Sequence, residues 1–338
     1  MSKTAVLLIN LGTPDSPKTN DVRRYLSQFL NDPRVIDIQP ILRFLLVNLI
    51  IVPFRAPKSA KIYKELWTDK GSPLLFHGES LQQKLAEKLG NDYEVFFAMR
   101  YQNPSLQSVL EDIKKKNFSR ILIFPLFPHY ASSSSGSAME LALQIISKWY
   151  VIPEITILSQ YWDNEGYINA FVAKGKEHAI EDYEHVLFSY HGLPTRQVDK
   201  VYDSGLCTER DCEHEITHEN KFCYKATCYA TTRLIAEKLA IPESKYSVGF
   251  QSRLDSKWIE PFSDKIVEQK AKEGIKSLLV FSPAFVADCL ETTIEIGEEY
   301  KEIFQKNGGK KLTLVESLND HPIWVDAIAS MVKARDIK

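Results

Sequence analysis

Glycine-rich phosphate loops are missing from this chain. Neither G-x-G-x-x-G nor G-x-x-x-x-G-K-S/T occurs in the 338 residues, and glycine totals only 14. Without that backbone cradle, no nucleotide cofactor is expected. There is no G-x-S-x-G elbow, and neither serine-hydrolase nor zincin chemistry is expected. Charge of one sign is not in excess: 42 basic residues stand against 44 acidic ones, for a net charge of -2. A nucleic-acid backbone would find no electrostatic footprint, so no nucleic-acid partner is expected. The first apolar run, Ala5 to Ile9, is too short for the core of an export signal. The most apolar stretch, Ile41 to Phe54, is interrupted by Arg43 and Asn48 and ended by Pro53. It falls short of the roughly 20 apolar residues of a spanning helix. It reads as a buried helix or, alternatively, as an exposed greasy lip lying on a bilayer surface.

What is present is ordinary globular material, 44% hydrophobic and 25% charged, in a length that suits two domains. Short β-branched runs alternate with longer amphipathic stretches, the pattern of parallel strands joined by helical crossovers. Strands are predicted at residues 5–10, 94–99, 120–126, 155–158, 185–190, 246–250, 277–281 and 312–315. Helices are predicted at 81–89, 138–149, 231–239, 261–272 and 322–334. The two halves echo one another. Val6 to Asn10 runs into Leu11-Gly12-Thr13-Pro14, and Val186 to Tyr190 runs into His191-Gly192-Leu193-Pro194. The reading is therefore α/β with two similar lobes: residues 1–165 with the apolar stretch at about 36–54, residues 166–320, and a final helix in 321–338 packing back on the first lobe.

Ligands of open parallel sheets sit beyond the carboxyl ends of the strands, so residues just after strands carry the functional weight. His191 ends a buried-looking strand before a glycine and a proline, which puts its imidazole at a lobe mouth. Its neutral ring there suits a proton acceptor or a metal ligand. Three other histidines, His77, His178 and His185, carry no such signal. Glu291, Glu295 and Glu299 are spaced four apart after a second-lobe strand. On a 3.6-residue helix the row drifts around the axis, and a local π-bulge would align it into a file of hard oxygen ligands able to pass a divalent cation inward. The run Ser132 to Ser135 with Gly136 offers backbone donors to an anion.

Cys207, Cys212, Cys223 and Cys228 fall within 22 residues as two C-x4-C pairs. The text between them is too polar to pack unaided, so a bound metal would have to order it. Four thiolates suit an iron-sulfur cluster or tetrahedral zinc. The alternative, free thiols, fits a chain in which no disulfide framework is expected. Cys289 stands apart and reads as a packed thiol or a site-lining residue rather than a ligand.

Five segments in this order resemble ferrochelatases: Leu8-Ile9-Asn10-Leu11-Gly12-Thr13-Pro14, Ala98-Met99-Arg100-Tyr101, Phe124-Pro125-Leu126-Phe127-Pro128-His129-Tyr130, Ser189-Tyr190-His191-Gly192-Leu193-Pro194, and Phe281 to Asp288 followed by Glu291. The resemblance spans nearly the whole chain. It implies two flavodoxin-like (Rossmann-like) lobes of chelatase type, each a four-stranded parallel sheet flanked by helices, with a porphyrin between them. It further implies His191 and Glu291 as the catalytic pair on ferrous iron; Glu295 and Glu299, by their spacing, are the candidate delivery path or else a solvated helix face. Leu11, Arg55, Tyr63, Arg100 and Tyr101 would be substrate-binding. The activity implied is insertion of Fe(II) into protoporphyrin IX with loss of two protons. Coproporphyrin III, a non-catalytic haem carrier and a cobalt-loading relative are the alternatives. The cysteine-rich insertion, residues 203–228, departs from the commoner family pattern. It matches members with an internal [2Fe-2S] cluster, with zinc as the alternative; no cysteine tail follows before Lys338. Cys289 stands where many members have histidine. The resemblance also implies a cytoplasmic protein peripheral to the inner face of the cell membrane through its lip, in transient contact with the preceding enzyme of the haem pathway.

Overall fold

Eight strands form where the β-branched runs predict them. The computed structural model describes residues 3–335. One sheet holds β1 (Thr4–Gly12), β2 (Tyr93–Tyr101), β3 (Arg120–Pro125) and β4 (Glu154–Ile157); the other holds β5 (His185–His191), β6 (Tyr246–Gln251), β7 (Ser277–Phe281) and β8 (Lys311–Leu314). Their orders are β2-β1-β3-β4 and β6-β5-β7-β8, and every pairing is parallel. The same order in both halves is the structural counterpart of the internal echo in the sequence. Helices cover both faces of such sheets, so the central strands have no polar side: Ala5 through Ile9 and Val186 through Phe188 are wholly buried.

The chain divides into two compact units. One takes the chain up to Phe127, residues 131–160 and the chain from Val325 on; the other takes Pro128–Tyr130 and Tyr161–Trp324. The first is centred on Leu7, Ile9, Ile121 and Ile123 packed against Leu106, Leu110, Ala138 and Ala142. The second is centred on Leu187, Leu278 and Val280 packed against Val267, Ile296 and Phe304.

Helix boundaries follow local chemistry. The helix expected from Leu81 begins earlier, at Pro73, because Pro73 takes a first-turn position where its missing N–H costs nothing. It ends at Leu89, before Gly90, whose φ of 75° no branched residue would adopt comfortably. Pro53, by contrast, does not end the apolar helix. Helical structure is continuous from Pro40 to Leu66, with a π-wide stretch at Leu46–Ile51 immediately before the proline. There the N–H of Val52 bonds to Val47 rather than to Asn48, and such widening relieves the clash of a proline ring with the preceding turn. The helix is not the buried one that its composition suggests. Ile41 is 66% and Phe54 73% exposed, with Leu42, Phe44, Leu49 and Ile50 also outward, whereas Val47, Val52, Ala56, Ala60 and Leu66 are buried. By length and composition alone the segment is long and apolar enough to cross a membrane, but one of its faces is already packed on its own unit.

Candidate active site

His191 is the last residue of β5 and pairs in register with Gln251, the last residue of β6. The turn after it depends on Gly192, whose N–H bonds to the Gln251 carbonyl at 2.7 Å. A Cβ at Gly192 would lie 2.8 Å from that same carbonyl oxygen, so no larger residue lets the strand end approach so closely. The corresponding glycine in the first unit, Gly12, meets the Tyr101 carbonyl in the same way and has a φ of +124°. The imidazole of His191 is half-buried, with the rings of Trp258 and Phe285 beside it at 6.3 and 6.2 Å between centroids. Its Nδ1 lies 2.6 Å from the Gly192 carbonyl oxygen, which can only accept. That contact places a proton on Nδ1, so the lone pair of the neutral ring is the one on Nε2.

Glu291 opens a ten-residue π-helical stretch, Glu291–Tyr300, after β7. Four residues of an α-helix overshoot one turn by about 40°, and the wider turns offset part of that drift along Glu291, Glu295 and Glu299. The start of the stretch is pinned by Asp288. Its carboxylate accepts from Thr292 Oγ1, the Ser317 N–H and Asn319 Nδ2, the last at 2.7 Å. The buried Cys289 thiol is pushed well up, by burial first and then by the charge of Glu291, to whose side chain it is hydrogen-bonded. Glu295 is the most heavily held of the row. It accepts from the Ser252 N–H at 2.9 Å, from Ser252 Oγ, from Tyr300 at 3.1 Å and from Gln251 Nε2 at 3.3 Å. Ser252 reaches it through a left-handed backbone, φ 60°. Glu299 is exposed.

Gln251 ends a strand and so falls among the strand-end residues that the sequence marks, but its residue type gave it no role there. It is 1% exposed; its Oε1 accepts from Ser189 Oγ at 2.8 Å, and its Nε2 donates to the Glu291 carbonyl at 2.9 Å as well as to Glu295. One amide thus ties the β5–β6 strand ends to the acidic row. Trp258 was missed, since a tryptophan in a loop 67 positions beyond His191 carries no signal.

The residues singled out in the first unit are placed differently. Leu11 is half-buried at the end of β1, and Arg55 is exposed on the apolar helix. Tyr63, on the buried face of that helix, packs edge-on against Tyr25. Arg100 and Tyr101 point into a buried network. Arg100 Nη2 pairs with Asp32 at 2.5 Å, its Nε donates to Ser137 Oγ at 2.7 Å, and the Tyr101 hydroxyl donates to Asp32 at 2.8 Å. Tyr101 is 0% exposed and offers no surface to a ligand in this arrangement, because Asp32 requires its hydroxyl. The serine run forms a π-wide turn, Ser132–Gly136, with Arg34 donating to Ser132 Oγ at 3.0 Å.

The family described as ferrochelatase matches residues 3–336. The chain belongs to the ferrochelatase family. A ferrochelatase of Coxiella burnetii (strain Dugway 5J108-111) is 42% identical over 335 residues, covering 98% of this chain and 94% of that protein. A ferrochelatase of Legionella pneumophila (strain Lens) is 43% identical over 331 residues, covering 98% of each. Among solved structures, SirB from Bacillus subtilis with Fe3+ superposes with a TM-score of 0.52 at 12% identity, covering 98% of this chain and 94% of that one. At that identity the likeness speaks for the two-sheet chelatase fold alone.

The cysteine-rich segment of this ferrochelatase-family chain brings together three thiols rather than four. Cys207, Cys212 and Cys223 are buried, with sulfur–sulfur distances of 3.7, 3.7 and 3.9 Å. Metal–sulfur bonds of about 2.3 Å at tetrahedral angles give a sulfur–sulfur edge of about 3.8 Å, so the trio fits one face of a tetrahedral thiolate site. Cys207 is pushed up by its contacts with Cys212 and Cys223, while the same contacts hold Cys212 down, as expected of thiols sharing protons at metal-ligand distance. Cys228 does not join them. It lies on the helix Tyr224–Lys238, wholly buried and against Tyr224. Among the described residues no other three cysteine, histidine or acidic side chains converge in this way. The same segment contains H-E-x-x-H at residues 214–218, which the expectation against zincin chemistry overlooked. Zinc proteases carry that motif on a helix, which places both histidines on one face. Here it lies in turns with both histidines exposed, and His214 Nδ1 is 2.6 Å from Asp211.

Proposed function

We propose that the protein inserts ferrous iron into a porphyrin, with His191 as the proton acceptor and Glu291 as its acidic partner on the metal. The observation that carries this reading is the contact between His191 Nδ1 and the Gly192 carbonyl. Metal insertion requires two pyrrole N–H protons to leave, and a neutral imidazole with its lone pair on Nε2 accepts a proton near pH 7. Trp258 and Phe285 keep the ring in place and shield one side from water. Gln251 orients the acidic row by holding the Glu291 backbone and the Glu295 carboxylate. Ferrous iron is the substrate, and Glu295 with Glu299 forms the approach to Glu291.

Protoporphyrin IX is the proposed ring. Of the two arginines singled out for propionates, Arg100 is already neutralised by Asp32. The remaining supply of cations suits a ring with two carboxylates better than coproporphyrin with four. The exposed apolar face of Pro40–Leu66, rimmed by Arg55, Lys58 and Lys61, suits the surface of an anionic bilayer. On this reading the protein would work from the cytoplasm, against the inner face of the membrane. Cys207, Cys212 and Cys223 would hold a thiolate-bound metal, zinc or the iron of a [2Fe-2S] cluster, and what that group supplies is order in an otherwise polar segment.

Anaerobic mixing of the protein with Fe(II) and protoporphyrin IX tests the reading. Haem formation faster than in the protein-free control is expected, and faster than with coproporphyrin III. Tight porphyrin binding without turnover would replace it with a carrier, and preference for cobalt and a sirohydrochlorin-type ring with a different chelatase.

A further inference from the structure

The Gly192 N–H bonds across to β6. Alternation along a strand therefore turns the N–H of His191 to the opposite edge. There the partner strand β7 has already ended, with Phe188 and Phe281 as the last pair. A buried N–H in that position needs an acceptor from elsewhere. It is supplied by the buried Tyr224, whose hydroxyl is hydrogen-bonded to the His191 backbone as well as to Cys228. Tyr224 is the first residue of the helix Tyr224–Lys238, and the residue capping that helix is Cys223, one of the three converging cysteines. A second bond joins the same helix to the same strand: Tyr190 and Thr232 hydroxyls lie 2.8 Å apart. The His129 ring packs edge-on against both Tyr190 and Tyr224.

We propose that Tyr224 is a positioning residue for His191, and that metal bound by Cys207, Cys212 and Cys223 holds Tyr224 in register by fixing the start of its helix. The inference rests on the reading of His191 as proton acceptor. The cysteine segment has little apolar material of its own, so without metal its turns loosen. The loosening reaches Cys223 and then Tyr224, and the acceptor of the His191 N–H is lost. The metal then takes no part in the reaction and acts through backbone geometry alone.

Amide hydrogen exchange on the full chain tests this directly, in protein loaded with zinc, in protein loaded with ferrous iron and sulfide, and in protein stripped by chelator. The His191 amide should exchange about tenfold faster in stripped than in loaded protein, the ratio of a single lost hydrogen bond. Amides of β7 should stay protected in all three. Tyr224→Phe, which removes only the hydroxyl, should show the fast exchange even when loaded, and stripping it should add nothing. Its kcat should fall and its pH profile shift while KM for porphyrin holds. Equal protection of the His191 amide in loaded and stripped wild-type protein, or wild-type protection in loaded Tyr224→Phe, would overturn the proposal. If stripping exposes β7 as well, the loaded variant decides the matter. Undiminished metallation by His191→Ala would instead remove the proton-acceptor reading, an outcome separable from any exchange result.

Discussion

The side-chain amide nitrogen of Gln251 lies 2.9 Å from the backbone carbonyl oxygen of Glu291, while its own backbone stands opposite His191 in the β5–β6 register. The two proposed catalytic residues, a hundred positions apart in sequence, are thereby referred to one buried side chain. Both ends of that amide are used, because Ser189 donates to its oxygen.

Gln251→Leu keeps the volume and removes every one of these bonds. Ser189 keeps Ser263 and Glu295 keeps Ser252 and Tyr300, so loss of the amide's own bonds should cost about 1 kcal/mol of stability in urea unfolding. Displacement of the acidic row should lower kcat about tenfold or more with KM for porphyrin little changed. A variant with wild-type kcat would show that the amide serves packing only.

In the first unit, Asp32 is a buried carboxylate whose partners must be kept. Burial, the largest single influence, pushes it up, but hydrogen bonds from Ser137 and the Arg34 backbone with the Arg100 charge bring it below its ordinary 3.8. A depressed carboxylate contributes stability that is complete above the unfolded value and is lost as pH falls through the folded one. Asp32→Asn should therefore cost about 3 kcal/mol near neutral pH, with Arg100 left unpaired, and the gap to wild type should narrow in acid. Denaturant titrations at several pH values would show it, and a gap constant with pH would speak against the network.

His129 gives the opposite kind of group. Burial alone lowers it to about 3, against an ordinary 6.5, so the folded protein keeps it neutral where the unfolded chain binds a proton. Stability should decline as pH falls from 6.5 toward 3, by up to about 1.4 kcal/mol per unit from this residue. His129→Gln, still able to donate to Thr231, should flatten that acid limb in thermal or urea unfolding; an unchanged slope would place the acid sensitivity elsewhere, His185 being the next group to examine.

The strands were legible because their runs are short, β-branched and buried on both faces, and the strand-end rule led from them to His191 and to the loop before Glu291. The lip was not. A continuous apolar run reads alike whether it faces core or solvent, and only the packing of Val52 and Ala56 shows which side of Phe54 is outward. Spacing also presented Cys207, Cys212, Cys223 and Cys228 as two equal pairs, since nothing in C-x4-C reveals that the last lies inside a helix and the others before it. Tyr224 was hidden, and Gln251, though marked as a strand-end residue, was given no role, because each acts in part through a backbone group and backbone partners leave no trace in residue type.

Exposed apolar side chains on the helix can be exchanged without unfolding the protein. Ile41→Ser with Phe54→Ser should change stability by no more than about 0.5 kcal/mol per site, yet should sharply reduce sedimentation with vesicles containing anionic lipid. Equal sedimentation of variant and wild type would remove the membrane reading.

The most direct test of the account is the anaerobic rate of haem formation by His191→Ala beside wild type, at equal porphyrin occupancy and with the variant shown to be folded. Transfer of pyrrole protons to Nε2 predicts a loss of about a hundredfold or more in kcat with porphyrin binding retained. A variant that forms haem at the wild-type rate would contradict it.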